Sequence, residues 1–500
     1  MNSKNERLIV FAVFLFCLSL RLAFISQKNL WFDEIFSWHL TEGSFNDIIN
    51  GTIADIHPPF YYFVLKIWKI IAGDSVFSLR LLSALLASTA IFFIYPVSKQ
   101  FLGIAESLLV LIFYSVSPLN LFYSQEVRMI SLNLLLNAGL IYYFIKLQNL
   151  HQNTKYFRTS STYLFITFAV LSIYTHYFSF FTIAAAAIYA AMINRNNFKK
   201  CIPFIKIYAI ILIIYSIWIP VMITQVTAGQ PWRSGQDIFE VGEQVYIFLK
   251  YLSIGAYSSY LPIELLAFIG TIIVILTVIV LIGLFMVMTK TYKVEEDGAK
   301  TNHELMILLF AFIPAFAAIL ISFKQWIELF RYLNFIVPYL LMIGFIGLKY
   351  FNRKMQLSLI MAFLCINLFG DYMYYHTDYK NNDYRQIMRK IETESKNKES
   401  VYVYPHYYAW GIDYSVKQGD FVIPLTENYG WEFDSLYSSL KRKNAEKFWF
   451  VLDYAFGDTS SYGDKLNMLK ANYLITLQQT YLTVPFHAVL YRFEKKTQKQ

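Results

Sequence analysis

Adjacent carboxylates among large aromatics open the chemistry of this chain. The stretch Leu30-Trp31-Phe-Asp33-Glu34-Ile-Phe36 follows the first apolar run directly. An acid pair in an apolar setting costs desolvation energy. It is justified by a cation, a metal or a proton-transfer task, or by capping the free N–H groups of a helix start. The stretch Asp55-Ile-His57-Pro58-Pro59-Phe60-Tyr61-Tyr62 comes next. Its two prolines fix the backbone ahead of an aromatic-rich helix that is apolar all round, a pattern suited to the membrane interface. His57 stands at the mouth of that helix, as a structural residue or as a member of the same site as the acids. Further on, Ser117-Pro118 leads to Ser124-Gln-Glu126-Val-Arg128. Arg128 suits a phosphate, because a guanidinium keeps its charge and matches phosphate geometry; a local salt bridge to Glu126 is the alternative. Thr175-His176-Tyr177 lies between two apolar runs. Arg331-Tyr332 opens another, where Arg331 could equally be an interfacial anchor beside Trp326.

Carboxylates and cations in one set fit one task in particular: transfer of a group from a lipid-linked phosphate. The cations would neutralise the phosphate leaving group. A carboxylate would deprotonate an incoming hydroxyl. Aromatics of the same segment, Trp31 and Tyr61 among them, would stack on a sugar face or on isoprenoid.

The elements that must position these residues follow from composition. Of 500 residues, 57% are hydrophobic and only 15% charged, against roughly 25% charge in soluble domains. This excludes a soluble enzyme, a disordered chain and a disulfide-rich secreted fold. Apolar runs of spanning length occur near 7–26, 79–98, 104–118, 129–147, 161–175, 177–193, 202–223, 264–289, 305–323, 332–350 and 355–372. The expectation is thus a polytopic α-helical membrane protein of about eleven spans, its first run a retained helix and not a signal peptide. Lys4, Arg7, Lys99, Arg158, Lys199, Lys200, Arg353 and Lys354 gather in alternate loops. The positive-inside bias places those loops and the N-terminus in the cytoplasm. The net charge of +9 is read the same way, so no nucleic-acid partner is expected. Cys17, Cys201 and Cys365 are widely spaced and are expected to be packing residues.

On this topology Asp33, Glu34, His57, Glu126, Arg128, His176 and Arg331 all fall on the outer side, three of them in a first outer loop over 27–76. Residues 1–372 form the membrane domain. Residues 373–500 change character: strand-like runs at 401–404, 421–424, 448–452, 473–476 and 488–492 alternate with helical patterns at 383–397, 405–417 and 461–471. They predict a small extracytoplasmic α/β domain for packing or acceptor docking. It has no Gly-rich phosphate loop, so no nucleotide site is expected there.

The ordered set Trp31-Phe-Asp33-Glu34, His57-Pro-Pro-Phe-Tyr-Tyr62, Arg80-Leu-Leu-Ser83, Ser117-Pro118 with Gln125-Glu-Val-Arg128, His176-Tyr-Phe178, and Arg331-Tyr332 with Pro338 resembles the membrane-embedded GT-C glycosyltransferases. The likeness is to the branch of protein O-mannosyltransferases, aminoarabinose transferases and bacterial family 39-like relatives, over about residues 7–350. The resemblance implies an inverting transfer at the outer face of a bacterial plasma membrane, from a polyprenyl-phosphate sugar to a hydroxyl or amine of a glycan, lipid or protein acceptor. It implies Asp33 as catalytic base, with Glu34 assisting substrate or metal binding. Arg128 and Arg331 would bind the donor phosphate. His57, the third residue expected at that phosphate, stands where aminoarabinose transferases have a Lys before the Pro. Trp31, Tyr61, Glu126 and His176 complete the expected substrate contacts. A divalent metal is left open, with Asp33, Glu34 and His57 as its ligands. The rival readings are a polytopic transporter or flippase, which would carry ionisable residues near the bilayer midplane, and a non-catalytic component of surface-polysaccharide assembly.

Overall fold

Prolines and polar turns cut the apolar sequence into helices close to the expected limits. The structure is a computed structural model, and it describes residues 3–150, 156–228, 234–255, scattered positions between 262 and 285, 303–377, 384–395, 399–404, 409–418, 426–427, 433–453, 460–483 and 486–496. Among the described residues four helices are long and apolar enough to cross a membrane: Val76–Ser98, Ile130–Gln148, Glu304–Ser322 and Arg353–His376. Two further runs are broken: Ile104–Ser115 turns 57° into Pro118–Ser124, and Phe198–Tyr215 turns 74° into Ile219–Thr227. Ser160–Ile173, Ser179–Ile193 and Asn334–Leu348 are shorter apolar helices, and Ser3–Leu22 opens the chain. By length and composition this gives four spans, or six if each bent pair counts as one, fewer than the eleven expected. The reason is local. Pro118 and Pro220 lack the N–H that would continue a helix and disfavour helical backbone before them, and three of the runs are too short to span alone. The expected run 264–289 lies largely outside the described residues.

The chain forms two compact units. The first comprises Met1–Ile25, Gly43–Ala72 and Leu79–Thr377; the second comprises Ser26–Glu42, Gly73–Ser78 and Asp378–Gln500. The expected first outer loop is therefore divided between them. In the first unit, helices meet through aromatic packing and close backbone approach. A Cβ on Gly347 would lie 2.3 Å from the Ile279 carbonyl oxygen and 2.9 Å from the Gly283 nitrogen. Small residues at such crossings let two backbones touch in a membrane, where dispersion replaces the hydrophobic effect.

Arg21 ties the first helix to the break at Pro118. It is fully buried, and its guanidinium donates to the carbonyls of Cys17 at 3.1 Å, Ser115 at 3.3 Å and Tyr114 at 3.5 Å. The last two are C-terminal carbonyls of Ile104–Ser115, so a cation sits where the helix dipole and the unpaired carbonyls favour one. Asp371, also buried, lies within electrostatic reach of Arg21. Sequence reading does not single out this carboxyl inside the apolar run 355–372.

The second unit is built on a five-stranded mixed sheet. Its strands are β1 (Ser400–Tyr404), β2 (Thr426–Glu427), β3 (Lys447–Asp453), β4 (Tyr473–Thr483) and β5 (Phe486–Lys495), in the order β2-β1-β3-β5-β4. β1 runs parallel to β2 and β3; β5 runs antiparallel to β3 and β4. The strand expected at 421–424 lies outside the described residues. β3 has a buried core on both faces, as alternation in a covered strand requires. Trp449 and Val451 join Ile387, Met388, Ile391, Ala409 and Ile412 on one side. Phe448, Phe450 and Leu452 join Phe433, Leu440, Leu466 and Leu469 on the other. Helices Tyr384–Glu394 and Ala409–Lys417 thus cover one face, and Phe433–Lys443 and Ser460–Asn472 cover the other.

Candidate active site

In the first unit, four separate segments bring ionisable groups together. Pro58 and Pro59 end the turn after helix Phe45–Ile53 and start helix Phe60–Ala72. The Phe60 N–H donates to the Tyr174 carbonyl at 3.0 Å. This one bond docks the His57 turn on the end of helix Ser160–Ile173, two residues before His176. The rings of His57 and His176 lie 6.2 Å apart. Both histidines are buried.

The hydrogen bonds fix what each imidazole presents. His57 Nδ1 is 2.9 Å from Asp55 Oδ2, so its Nδ1–H donates to the carboxylate and Nε2 is turned to other partners. His176 Nδ1 accepts from the Phe178 N–H at 3.2 Å, which leaves its proton on Nε2. Burial, with His57 and Arg128 adding to it, lowers the His176 pKa to about 3; the ring is a neutral Nε2–H donor. Burial works to raise the Asp55 pKa, but the His57 ion pair and the nearby Arg128 outweigh it and hold the carboxyl below its ordinary value. A carboxylate, an imidazole and a guanidinium therefore share one buried neighbourhood.

Arg128 reaches it from a backbone tightly held upstream. Gln125 Nε2 donates to the carbonyls of Arg21 and Ala23, each at 2.8 Å, and its Oε1 accepts from Tyr374 Oη at 2.7 Å. The Glu126 carbonyl takes the Arg128 N–H at 2.8 Å and the Ser83 Oγ–H at 2.6 Å. Glu126 and Arg128 are both buried. On the fourth segment, Arg331 Nε lies 3.0 Å from Glu328 Oε2. The adjacent Tyr332 ring is 5.2 Å from His176 and 5.0 Å from Phe178. Arg331, Glu126 and Glu328 all act on the buried Tyr123 hydroxyl. Tyr61, fully buried, packs edge-on against Tyr62 at 5.5 Å.

Trp31, Asp33 and Glu34 belong to the second unit. Helix Phe32–Leu40 starts at Trp31, which is extended at φ −92° and ψ 175°. Glu34 is 1% exposed and its Oε2 accepts the Trp31 N–H at 3.1 Å. That is the return bond of a capping box, so Glu34 serves as the helix cap that the sequence left as its alternative to catalysis. Asp33 is half-buried one position earlier. Ser37 Oγ donates to its carbonyl at 3.0 Å. The structure thus gathers His57, His176, Arg128, Arg331 and Glu126 in one unit and carries the acids on the other. Asp55 was not singled out from the sequence; its position two residues before His57 was the available signal. Among the described residues, no group of three or more His, Cys, Asp or Glu side chains is placed to hold a metal ion.

A sequence profile of the family described as dolichyl-phosphate-mannose-protein mannosyltransferase matches residues 56–220. No curated protein sequence matches the chain. Among solved structures, the apo form of ArnT from Cupriavidus metallidurans superposes with a TM-score of 0.57 at 12% identity, covering 98% of both chains. The same protein bound to undecaprenyl phosphate gives 0.56 over the same share. The apo oligosaccharyltransferase of Archaeoglobus fulgidus gives 0.57 at 11% identity, covering 100% of this chain and 75% of that one. At such identity the likeness is one of fold. The chain has the architecture of the GT-C membrane glycosyltransferases that its sequence resembles, and the mannosyltransferase profile falls on the segment that supplies His57, Arg128 and His176.

Proposed function

We propose that this protein is an inverting glycosyltransferase that moves a sugar from a polyprenyl-phosphate donor to an acceptor hydroxyl or amine at the outer face of the membrane. The observation that carries this reading is the buried set Asp55, His57, Arg128 and His176, with Arg331 linked to it through Tyr332. Buried cations are costly unless an anion compensates them. Asp55 lies against His57 and Glu328 against Arg331, and a donor phosphate is the further anion such a set of cations and N–H donors would hold. The profile match and the structure of a fold relative holding undecaprenyl phosphate support a donor of that class.

In this reading the acceptor oxygen or nitrogen attacks the anomeric carbon from the face opposite the phosphate. Asp33 takes its proton. The bond from anomeric carbon to phosphate oxygen breaks, and the polyprenyl phosphate leaves with its developing charge already met by Arg128, Arg331 and the N–H donors of His57 and His176. Unit charges about 4 Å apart at an effective dielectric near 20 interact by about 4 kcal/mol, so two such contacts are a large share of a catalytic barrier. Glu34 sets the start of the helix that bears Asp33. Trp31 and Tyr61 offer aromatic surface to sugar or isoprenoid, and Glu126 offers a polar contact to the substrate. The sorting of Lys and Arg supports a cytoplasmic N-terminus and an extracytoplasmic C-terminal domain.

The test is the purified protein in nanodiscs with a panel of polyprenyl-phosphate sugars. Mass analysis of the released lipid phosphate and of the product anomer gives donor class and stereochemistry together. Release of polyprenyl phosphate with inversion supports the reading. Lipid movement across a bilayer without bond cleavage would replace it with a flippase.

A further inference from the structure

Helix Phe32–Leu40 carries Asp33, yet it has nine residues. Helices that short are unstable alone in water, so whatever packs against it decides where the Asp33 carboxylate points. The partner is helix Ala409–Lys417 of the C-terminal α/β fold, within the same compact unit. The His39 ring stacks on Trp410 at 4.4 Å between centroids and 13° between planes. Phe36 approaches the same indole at 6.1 Å. Trp38 meets Tyr414 edge-on at 5.0 Å. Trp410 and Tyr414 are four apart and share one helix face. Phe32, beside Asp33, packs on the sheet core formed by Trp449, Val451 and Ile412.

A polar knot reinforces these ring contacts. The Asp74 carboxylate accepts from Trp38 Nε1 at 3.4 Å and from Gln418 Nε2 at 3.0 Å, and its carbonyl accepts from Tyr414 Oη at 3.0 Å. Lys417 bridges Asp74, at 3.4 Å, and Glu42. Both ends of the loop helix are thus tied to one face of the C-terminal fold: Phe32 by the core, Trp38 to Glu42 by helix 409–417 and its flank.

We propose that the C-terminal α/β fold is a working part of the enzyme, with Trp410 and Tyr414 as positioning residues that fix the phase and tilt of the helix bearing Asp33. This rests on the reading of Asp33 as base. A misplacement of about 1 Å at a reacting group costs on the order of 10²-fold in rate, so loosening these rings should act on turnover more than on donor affinity.

The test uses the full-length protein in nanodiscs with Trp410→Ala, Trp410→Phe and Asp33→Asn. Amide exchange of residues 32–40 is read alongside kcat and donor KM. Trp410→Ala is expected to raise exchange across 32–40 while β1 and β3 keep their protection. Its kcat should fall about 30- to 100-fold with donor KM within about twofold, and Trp410→Phe should recover most of both. Unchanged exchange at 32–40, or raised exchange with wild-type kcat, overturns the proposal. If Trp410→Ala unfolds the sheet, His39→Ala removes the same stack from the loop side and is read by the same outcomes. Full activity of Asp33→Asn would instead overturn the base assignment, and the exchange result would still report whether the rings hold the helix.

Discussion

The cation cluster and the loop helix hold their functional groups by opposite means. His57, Arg128 and His176 are buried: Asp55 answers the charge of His57 and Arg128, while the Phe178 N–H sets the tautomer of the neutral His176 and backbone bonds set the chain path. Asp33 is half-exposed on a short helix, and rings from a distant part of the sequence fix it. The first arrangement is preorganised for an anion and resists change. The second is held by ring stacking and leaves the acid half-buried, with its Oδ2 enclosed, so a shift of the rings moves the acid.

The comparison breaks most decisively at Asp33. Asp33→Asn should lower kcat by about 10²- to 10⁴-fold with folded protein retained, because Asn keeps the size and shape of the side chain. Near-normal turnover in a steady-state assay would remove it from the mechanism. Asp55→Asn should show the reverse pattern. Taking the carboxylate from a buried cationic neighbourhood costs on the order of 3–5 kcal/mol, so thermal stability in detergent should drop along with donor use. A variant as stable as wild type would show that the cluster is less tightly compensated than its geometry implies. Arg128→Lys keeps the charge but loses the planar fork. Donor kcat/KM should fall about 10-fold, with acceptor KM unmoved; donor kinetics equal to wild type would take the phosphate away from Arg128.

The smallest effect separates the two regions by pH. The folded His176 pKa of about 3 lies below the free value of 6.5, so between these values the unfolded chain binds the extra proton. Stability must therefore fall as pH drops from about 6.5 towards 3. Asp55, held below its ordinary value of 3.8, keeps its full stabilising contribution above that value and loses it as pH falls from there through its own lowered pKa. His176→Asn should flatten the decline in melting temperature between pH 6.5 and 4. An equally steep decline in that variant would place the acid sensitivity elsewhere.

Much of this was legible in the chain. The apolar runs and the switch to an α/β pattern near residue 373 could be read because helix period, strand alternation and charge scarcity are local properties. Ten of the eleven apolar runs have helices, and four of the five expected strands are in place. Two bends were not read as bends, although Pro118 and Pro220 stood in the sequence, because hydropathy does not register direction. The sequence offers Glu34 both as half of a catalytic pair and as a helix cap, and the bond from the Trp31 N–H shows that it does cap the helix. Asp371 becomes informative only beside Arg21, far away in the chain, whereas Asp55 has its first partner, His57, two positions on and its second, Arg128, only in the folded chain.

The membrane setting, the family resemblance and the inventory of reactive groups are written in the order of the residues. Those follow from residue type and short-range spacing. Tertiary structure alone decided which groups share a dielectric: His57 meets His176 because the Phe60 N–H finds the Tyr174 carbonyl, and Asp33 is carried by the C-terminal fold because Trp410 finds His39. Protonation, charge compensation and aim depend on neighbours within a few ångströms, and long-range packing chooses those neighbours.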